Sequence, residues 1–349
     1  MRGATSASRP THALSLFKFW DVPGTEPVAL RCVKVEKQAA RRAEFVPRFK
    51  LVVGIVVMLA MGIGCRGGEP EEGFSGERAL DHVRTQVSMG PRPPGSEASG
   101  RLRSWLRTEL EALGFQVQEQ PFTPRTPLGP VPMVNLVATL PGASERRLVL
   151  GAHADTKRFE EFEFLGANDG ASGVAALLEL ARVFHSNRLR HTLTLAFFDG
   201  EEALVEWGPD DSLYGSTHLV DSWVENGLAR KVSAVFILDM VGDRNLKVTD
   251  EVNSHPQLRA RLREEAARLG HSRLFSGPEQ GVEDDHVPFL MAGIPALNVI
   301  GFATSPEGVV PSYWHTPQDT LDKVSASSLE AVGRTVEACL RRLDRELLH

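Results

Sequence analysis

The side chains in this chain best suited to chemistry are histidines and carboxylates that recur at one kind of place. His153 and Asp155 in GAHADT, Asp169 in GANDGASG, Glu202 in FFDGEE, Asp239 in ILDMVG and His315 in YWHTPQDT lie at or near the exits of apolar, strand-like runs. Imidazole nitrogen and carboxylate oxygen together suit Zn²⁺. Taken singly, each has a plainer role, since an aspartate after a strand commonly caps a helix or forms a turn. Their recurrence at equivalent positions points instead to one shared metal site. Glu201 and Glu202 are adjacent. On an extended strand they would face opposite ways, whereas a turn can aim both into one cavity, leaving one to bind metal and the other to move a proton. Asp284 and Asp285 in GVEDDHVPFL add two carboxylates. Such clustering raises at least one apparent pKa and lets a proton be shared, unless the segment is only a hydrated acidic loop. Trp207, in a polar loop, and Trp314, beside His315, are candidate aromatic walls for a small substrate if they do not merely fill a core.

Alternating elements must hold these residues. In ASGRLRSWLRTELEALG, Leu102, Trp105, Leu106, Leu110 and Leu113 share one helical face, with Gly114 placed to end it. The segment Pro121 to Pro132 reads as a loop or edge excursion before the strand MVNLVATL. RLVLGAH, TLTLAFFDGEE, VSAVFILDM and PALNVI read as buried strands. Helices are expected at Val174 to Phe184, around Leu258 to Leu269, and from about Ser325. The expected fold is therefore α/β: a single domain over residues 80–349, with a central, mostly parallel mixed sheet flanked by helices. Loops 157–168, 203–215, 276–288 and 302–320 would then gather beyond the strands' carboxyl ends, where open α/β sheets bind ligands.

The chain has 349 residues, 42% hydrophobic and 24% charged, an ordinary globular composition. Residues 1–64 hold ten Lys or Arg and four Asp or Glu, so the formal net charge of −6 leaves −12 for Cys65 to His349. An acidic body without a basic stripe argues against a nucleic-acid partner. Leu51 to Gly64 is a run of 14 uncharged residues, short for a spanning helix and better suited to an export signal. Residues 1–64 thus read as a leader. Cys65 after the run, followed by a polar tether over 65–79, resembles the acylated cysteine of a bacterial lipoprotein facing the periplasm or cell envelope; an uncleaved anchor is the other reading. Loss of Cys32 and lipidation of Cys65 would leave Cys339 alone, with no internal disulfide.

The blocks GAHADTK, FLGANDGASG, LTLAFFDGEEALVEWGPDDSLYGSTHL, FILDMVG, VEDDHVPFL and YWHTPQDTLDKV, spread from Asp81 through Val324, resemble the zinc-dependent, animal-type glutaminyl-peptide cyclotransferases. These glutaminyl cyclases share their fold with the M28 zinc aminopeptidases. The resemblance implies one zinc on Asp169, Glu202 and His315, Glu201 as the proton-shuttling acid/base, and Asp239 and Asp284 as its hydrogen-bonded supports. Trp207 and Trp314 are implied to line the substrate pocket. In the related peptidases the positions of His153 and Asp239 hold a second zinc, bridged by Asp169, and those residues are retained here. Three departures from the animal enzymes stand out: Asn298 replaces a pocket-region histidine, Val310 stands near a phenylalanine position, and Ala152 and Val174 replace a disulfide pair. The implied reaction converts a free N-terminal glutamine of a peptide or protein to pyroglutamate with release of ammonia, N-terminal glutamate being a slower substrate. The alternatives are a two-zinc aminopeptidase and an inactive binding domain.

Overall fold

The apolar runs pair into one six-stranded sheet whose strands are β1 (Gln116–Phe122), β2 (Met133–Leu140), β3 (Ser144–His153), β4 (His191–Phe198), β5 (Val232–Asp239) and β6 (Ala296–Ile300). Their order is β1-β2-β4-β3-β5-β6. The pairs β1/β2 and β2/β4 are antiparallel, while β4/β3, β3/β5 and β5/β6 are parallel, giving the expected mixed, mostly parallel sheet. The computed structural model describes residues 73–302 and 310–347. The expected leader 1–64, Cys32, Cys65 and the tether up to residue 72 lie outside them.

Two-residue periodicity assigns the sheet's faces. In β4, Leu193, Leu195 and Phe197 enter one apolar cluster, while Ala196 and Phe198 enter another; in β5, Phe236 and Leu238 divide from Val235 and Ile237 in the same way. Both faces are covered, as the continuous apolar strands require. The helices are α1 (Gly76–Val87), α2 (Glu97–Ala112), α3 (Ala171–Ser186), α4 (Tyr214–Glu225), α5 (Pro256–Arg268), α6 (His286–Met291) and α7 (Ala326–Glu346). Apolar residues of α1, α2, α3, α5 and α7 join the first cluster, and those of α4 and α6 the second. Gly114, at φ +75°, follows α2 where the sequence places a stop.

Two elements depart from the sequence reading. Helix α1 starts at Gly76, inside the segment expected to be tether over 65–79, with Ser75 as its N-cap. Phe74 before it is 1% exposed and fills the space over Gly333 of α7, so the packed domain begins earlier than residue 80. The proline-rich segment opens inside β1, which takes in Pro121 and Phe122. β1 is a sheet edge, where a missing N–H is tolerated. Ala152 and Val174, at the disulfide positions of the resembling enzymes, are both fully buried in the first apolar cluster. Cys339 is free and buried. Among the described residues no helix is long and apolar enough to cross a membrane.

Parallel pairing sends β3, β4, β5 and β6 out at one edge of the sheet. His153 and Asp239 are the last residues of β3 and β5, and Glu201 stands three residues beyond β4. This edge carries the site.

Candidate active site

Two sets of donor atoms share one aspartate: His153, Asp169 and Asp239 form the first, and Asp169, Glu202 and His315 the second, with ligand atoms in each set within 4.8 Å of one another. His153 Nε2 stands 3.1 Å from Asp239 Oδ1 and 3.3 Å from Asp169 Oδ1. His315 Nε2 lies 3.0 Å from Glu202 Oε1 and 3.3 Å from Asp169 Oδ2. Asp169 precedes α3, where Gly170 at φ +85° lets the backbone turn beside His153. Its main-chain N–H and that of Asn168 donate to the two Asp319 oxygens at 3.0 and 2.8 Å. Asp155, one of the expected donors, is used differently: its carboxylate accepts the Glu201 and Glu202 N–H groups, each at 3.2 Å, and so shapes the turn holding both glutamates.

The cluster's electrostatics calls for a cation. Burial disfavours charge on His153, yet the adjacent carboxylates of Asp155, Asp169 and Asp239 raise its pKa well above the ordinary imidazole value. Burial likewise opposes charge on His315, but Asp169 and Glu202 push it up to about 9. Asp169 is driven below the usual carboxylate range: burial works against this, and the two histidines outweigh it. Its Oδ2 is buried and accepts no hydrogen bond. A mixed oxygen and nitrogen donor set with a buried carboxylate oxygen left without a hydrogen bond fits Zn²⁺, and the shared Asp169 makes the geometry compatible with one ion or two.

Glu201, on the same turn, has its Oε2 3.9 Å from His153 Nδ1. Burial holds its carboxyl well above the usual range, against the pull of His153 and with the help of Glu202, Asp284 and Asp285. Burial also pushes Asp239 up to about 7, with His153 opposing and Asp284 and Asp169 adding to the rise. These carboxyl groups can therefore hold protons near neutrality, as an acid/base requires.

A cavity of about 510 Å³ opens over this cluster and is lined by Asp169, Glu202 and His315 together with Glu201, Asp239 and Asp284. His153 is 2% exposed and does not line it. Only the second donor set is therefore wholly open to a ligand. Trp207 and Trp314 both line the cavity. Trp314 stacks on His315 with ring centroids 4.0 Å apart, and Trp207 Nε1 donates to Glu283 Oε2 at 3.1 Å.

Asn298 and Val310, expected in the pocket, do not line it. Asn298 is 1% exposed on β6 and its Nδ2 donates to Asp284 Oδ2 at 2.6 Å, so it holds a pocket carboxylate from behind. Sequence reasoning also missed several contributors. Phe159 and Phe164 approach the His315 ring edge-on, with centroids at 6.0 and 5.8 Å. Buried Arg92 donates to the Leu165 and Gly166 carbonyls and so fastens the loop before Asp169. Asp319, in the same block as His315, was legible as a carboxylate but carried no spacing that tied it to Asp169.

The profile of Peptidase family M28 matches residues 135–340. Among curated proteins, the glutaminyl-peptide cyclotransferase-like protein of Mus musculus is 37% identical over 278 residues, 71% of each chain. Among solved structures, the glutaminyl cyclase of an Acidobacteriales bacterium superposes with a TM-score of 0.73 at 32% identity, over 80% of this chain and 98% of that one. A leucine aminopeptidase precursor from Bacteroides thetaiotaomicron shares the fold at TM-score 0.69 and 26% identity, over 78% and 98% of the two chains.

Proposed function

This chain belongs to Peptidase family M28 and to the glutaminyl-peptide cyclotransferases within it, and from that premise we propose that it converts N-terminal glutaminyl residues of peptides to pyroglutamyl residues. The enzyme is a zinc-dependent transferase of M28-like fold. The observation that carries this reading is the cavity, where one donor set is open and two carboxyl groups beside it, Glu201 and Asp239, can hold protons.

Asp169, Glu202 and His315 are the residues that would hold the ion. Bound there, zinc supplies Lewis-acid polarisation of the substrate's γ-carbonyl and stabilises charge developing on its oxygen. The α-amine and the γ-carbonyl belong to one residue, so the pocket's main task is to hold the side chain folded back on its own amine. Trp207 and Trp314 serve that purpose as walls. In its ionised form Glu201 takes a proton from the attacking nitrogen as the new C–N bond closes the five-membered lactam. It returns that proton to the departing amide nitrogen as the old C–N bond breaks and ammonia leaves. Asp284, fixed by Asn298, and Asp239, fixed by His153, set the environment in which Glu201 ionises.

The test is mass spectrometry of a peptide with N-terminal glutamine incubated with the zinc-loaded protein. Loss of one ammonia with the chain otherwise intact is expected, and release of free glutamine would overturn the reading. The completeness of the first set, His153, Asp169 and Asp239, beside the open one favours the aminopeptidase alternative, which requires two catalytically necessary ions. Metal analysis at full activity separates the two: one ion per chain supports the cyclase.

We also place the protein outside the cytoplasm, with residues 1–64 as an export leader and the catalytic body held to a membrane by lipid on Cys65. The support is the basic flank, the 14-residue apolar run and the cysteine at its end. Mass spectrometry of the mature N-terminus decides; a protein beginning upstream of Leu51 would sink the lipid assignment.

A further inference from the structure

Cyclisation uses only the first residue of a peptide, so everything after it must leave through the cavity mouth. The cavity is a ligand site on independent grounds, because buried Asp169, whose Oδ2 accepts no hydrogen bond, lines its floor. Two short segments line it, residues 205–207 and 281–284, and their exposed members Val205, Glu206, Trp207, Gly281 and Glu283 form its mouth. The first is held rigidly from below: the buried Asp211 carboxylate accepts the N–H groups of Leu204, Val205 and Glu206 at 3.0, 2.8 and 2.9 Å, and the Tyr214 hydroxyl at 2.9 Å. That anchor fixes where Glu206 is presented. The second segment is joined to the first by the Trp207 to Glu283 hydrogen bond across the mouth.

Glu206 and Glu283 are both exposed, both line the cavity, and among the described residues neither forms an ion pair. Among the described residues lining the cavity the cations are His315, paired with Asp169 and Glu202, and Lys157, which donates to the Ala203 carbonyl at 3.0 Å with Glu202 Oε2 at 3.7 Å, so both are already engaged. Two uncompensated negative charges thus stand where the second and third residues of a bound peptide must pass. The substrate's own α-amine is common to every N-terminal glutamine peptide, so these charges act on what differs between substrates.

We infer that Glu206 and Glu283 make this mouth selective for peptides carrying Lys or Arg directly after the N-terminal glutamine and unfavourable to those carrying Asp or Glu there. The inference rests on the cyclase reading and deepens it.

The experiment compares kcat/KM of the full, zinc-loaded protein on three peptides identical except for Lys, Ala or Glu at the second position. Exposed charge pairs have modest effects, so the Lys to Glu ratio is expected at about tenfold, with Ala between and the difference mainly in KM. Raising ionic strength toward about 1 M, where the screening length falls to about 3 Å, should shrink the ratio toward one. Glu206→Gln and Glu283→Gln should each lower it by about threefold relative to the same variant's rate on the Ala peptide. The glutamine amide oxygen can still accept the Trp207 N–H, so the second variant tests charge and not mouth shape. Glu206→Lys should invert the preference. A ratio near one in the native protein, or a ratio that neither substitution moves, would overturn the selectivity while leaving cyclisation standing. No turnover on any of the three peptides would remove the cyclase reading and this inference with it.

Discussion

At the scale of single residues the proposed reaction assigns metal binding and proton transfer to Glu202 and Glu201, neighbours across one peptide bond. Asp155 receives the two consecutive N–H groups of Glu201 and Glu202, which fixes the turn between them. Glu202 Oε1 stands 3.0 Å from His315 Nε2, whereas Glu201 Oε2 stands 3.9 Å from His153 Nδ1. Replacing Glu201 with Gln keeps size and packing and leaves Asp169, Glu202 and His315 in place, but it removes the proton acceptor. The expected loss of kcat is about 10²- to 10⁴-fold with zinc content unchanged. Glu202→Gln should lose zinc and activity together, because it alters the donor set itself. Metal content and cyclisation measured side by side check both; near-normal turnover by the Glu201 variant with its zinc intact would pass the proton to another group, most directly Asp284.

At the scale of elements, function depends on where strands and helices end. Gly170 starts α3 at φ +85°, and a Cβ there would lie 2.8 Å from the Asp155 carbonyl oxygen and 3.3 Å from His153 Cε1. Gly170→Ala should therefore destabilise the fold by about 1–3 kcal/mol and weaken zinc binding as well, since the strain falls on His153 and Asp169. Thermal unfolding and zinc titration measure the two effects, and unchanged values in both would refute the argument. Far from the site, Asp344 near the end of α7 clamps the start of β4, accepting the N–H groups of Arg190 and His191 at 3.0 and 2.8 Å and facing His191 Nδ1 at 2.7 Å. Burial works against its charge, but these hydrogen bonds hold its pKa below the ordinary aspartate value. A depressed folded-state pKa means that the stabilisation is complete above the unfolded value, about 3.9, and disappears as pH falls through the folded one. Asp344→Asn should cost about 2 kcal/mol at neutral pH and flatten the acid limb of the stability curve. Denaturant unfolding across that range provides the check; an acid limb unchanged in the variant would refute this assignment.

Across the whole molecule, the sheet edge concentrates like charge that the apo protein must contain. Asp169, Glu201, Glu202, Asp239, Asp284 and Asp285 are all buried, while His153, His315 and Lys157 are the cations among them. Zinc binding to the folded site alone should raise the melting temperature, since a ligand at about 1,000 times its Kd contributes about 4 kcal/mol. Chelation should lower the melting temperature, and zinc should restore it. If chelator removes all zinc and the transition stays put, the donor sets are not coupled to folding as the geometry requires.

Much of this was legible in the chain. Apolar runs such as TLTLAFF and VSAVFILD form strands buried on both faces because nothing polar interrupts them, and parallel strands necessarily bring their following carboxylates to one edge. The residue types at those exits already specified an oxygen and nitrogen metal site. Other features depended on distance in space. Asn298 looked like a pocket residue and proved a support, because β6 turns it toward Asp284. Helix α1 escaped notice because its place is set by Phe74 packing on α7, more than two hundred residues later. Which donor set lines the cavity, with His153 covered and His315 partly open, was decided only by the packing of the chain around Asp169. The local pattern fixes a residue's type and its distance from a strand end. Only the packed chain fixes which of its atoms meet solvent, because that depends on neighbours the local pattern does not contain.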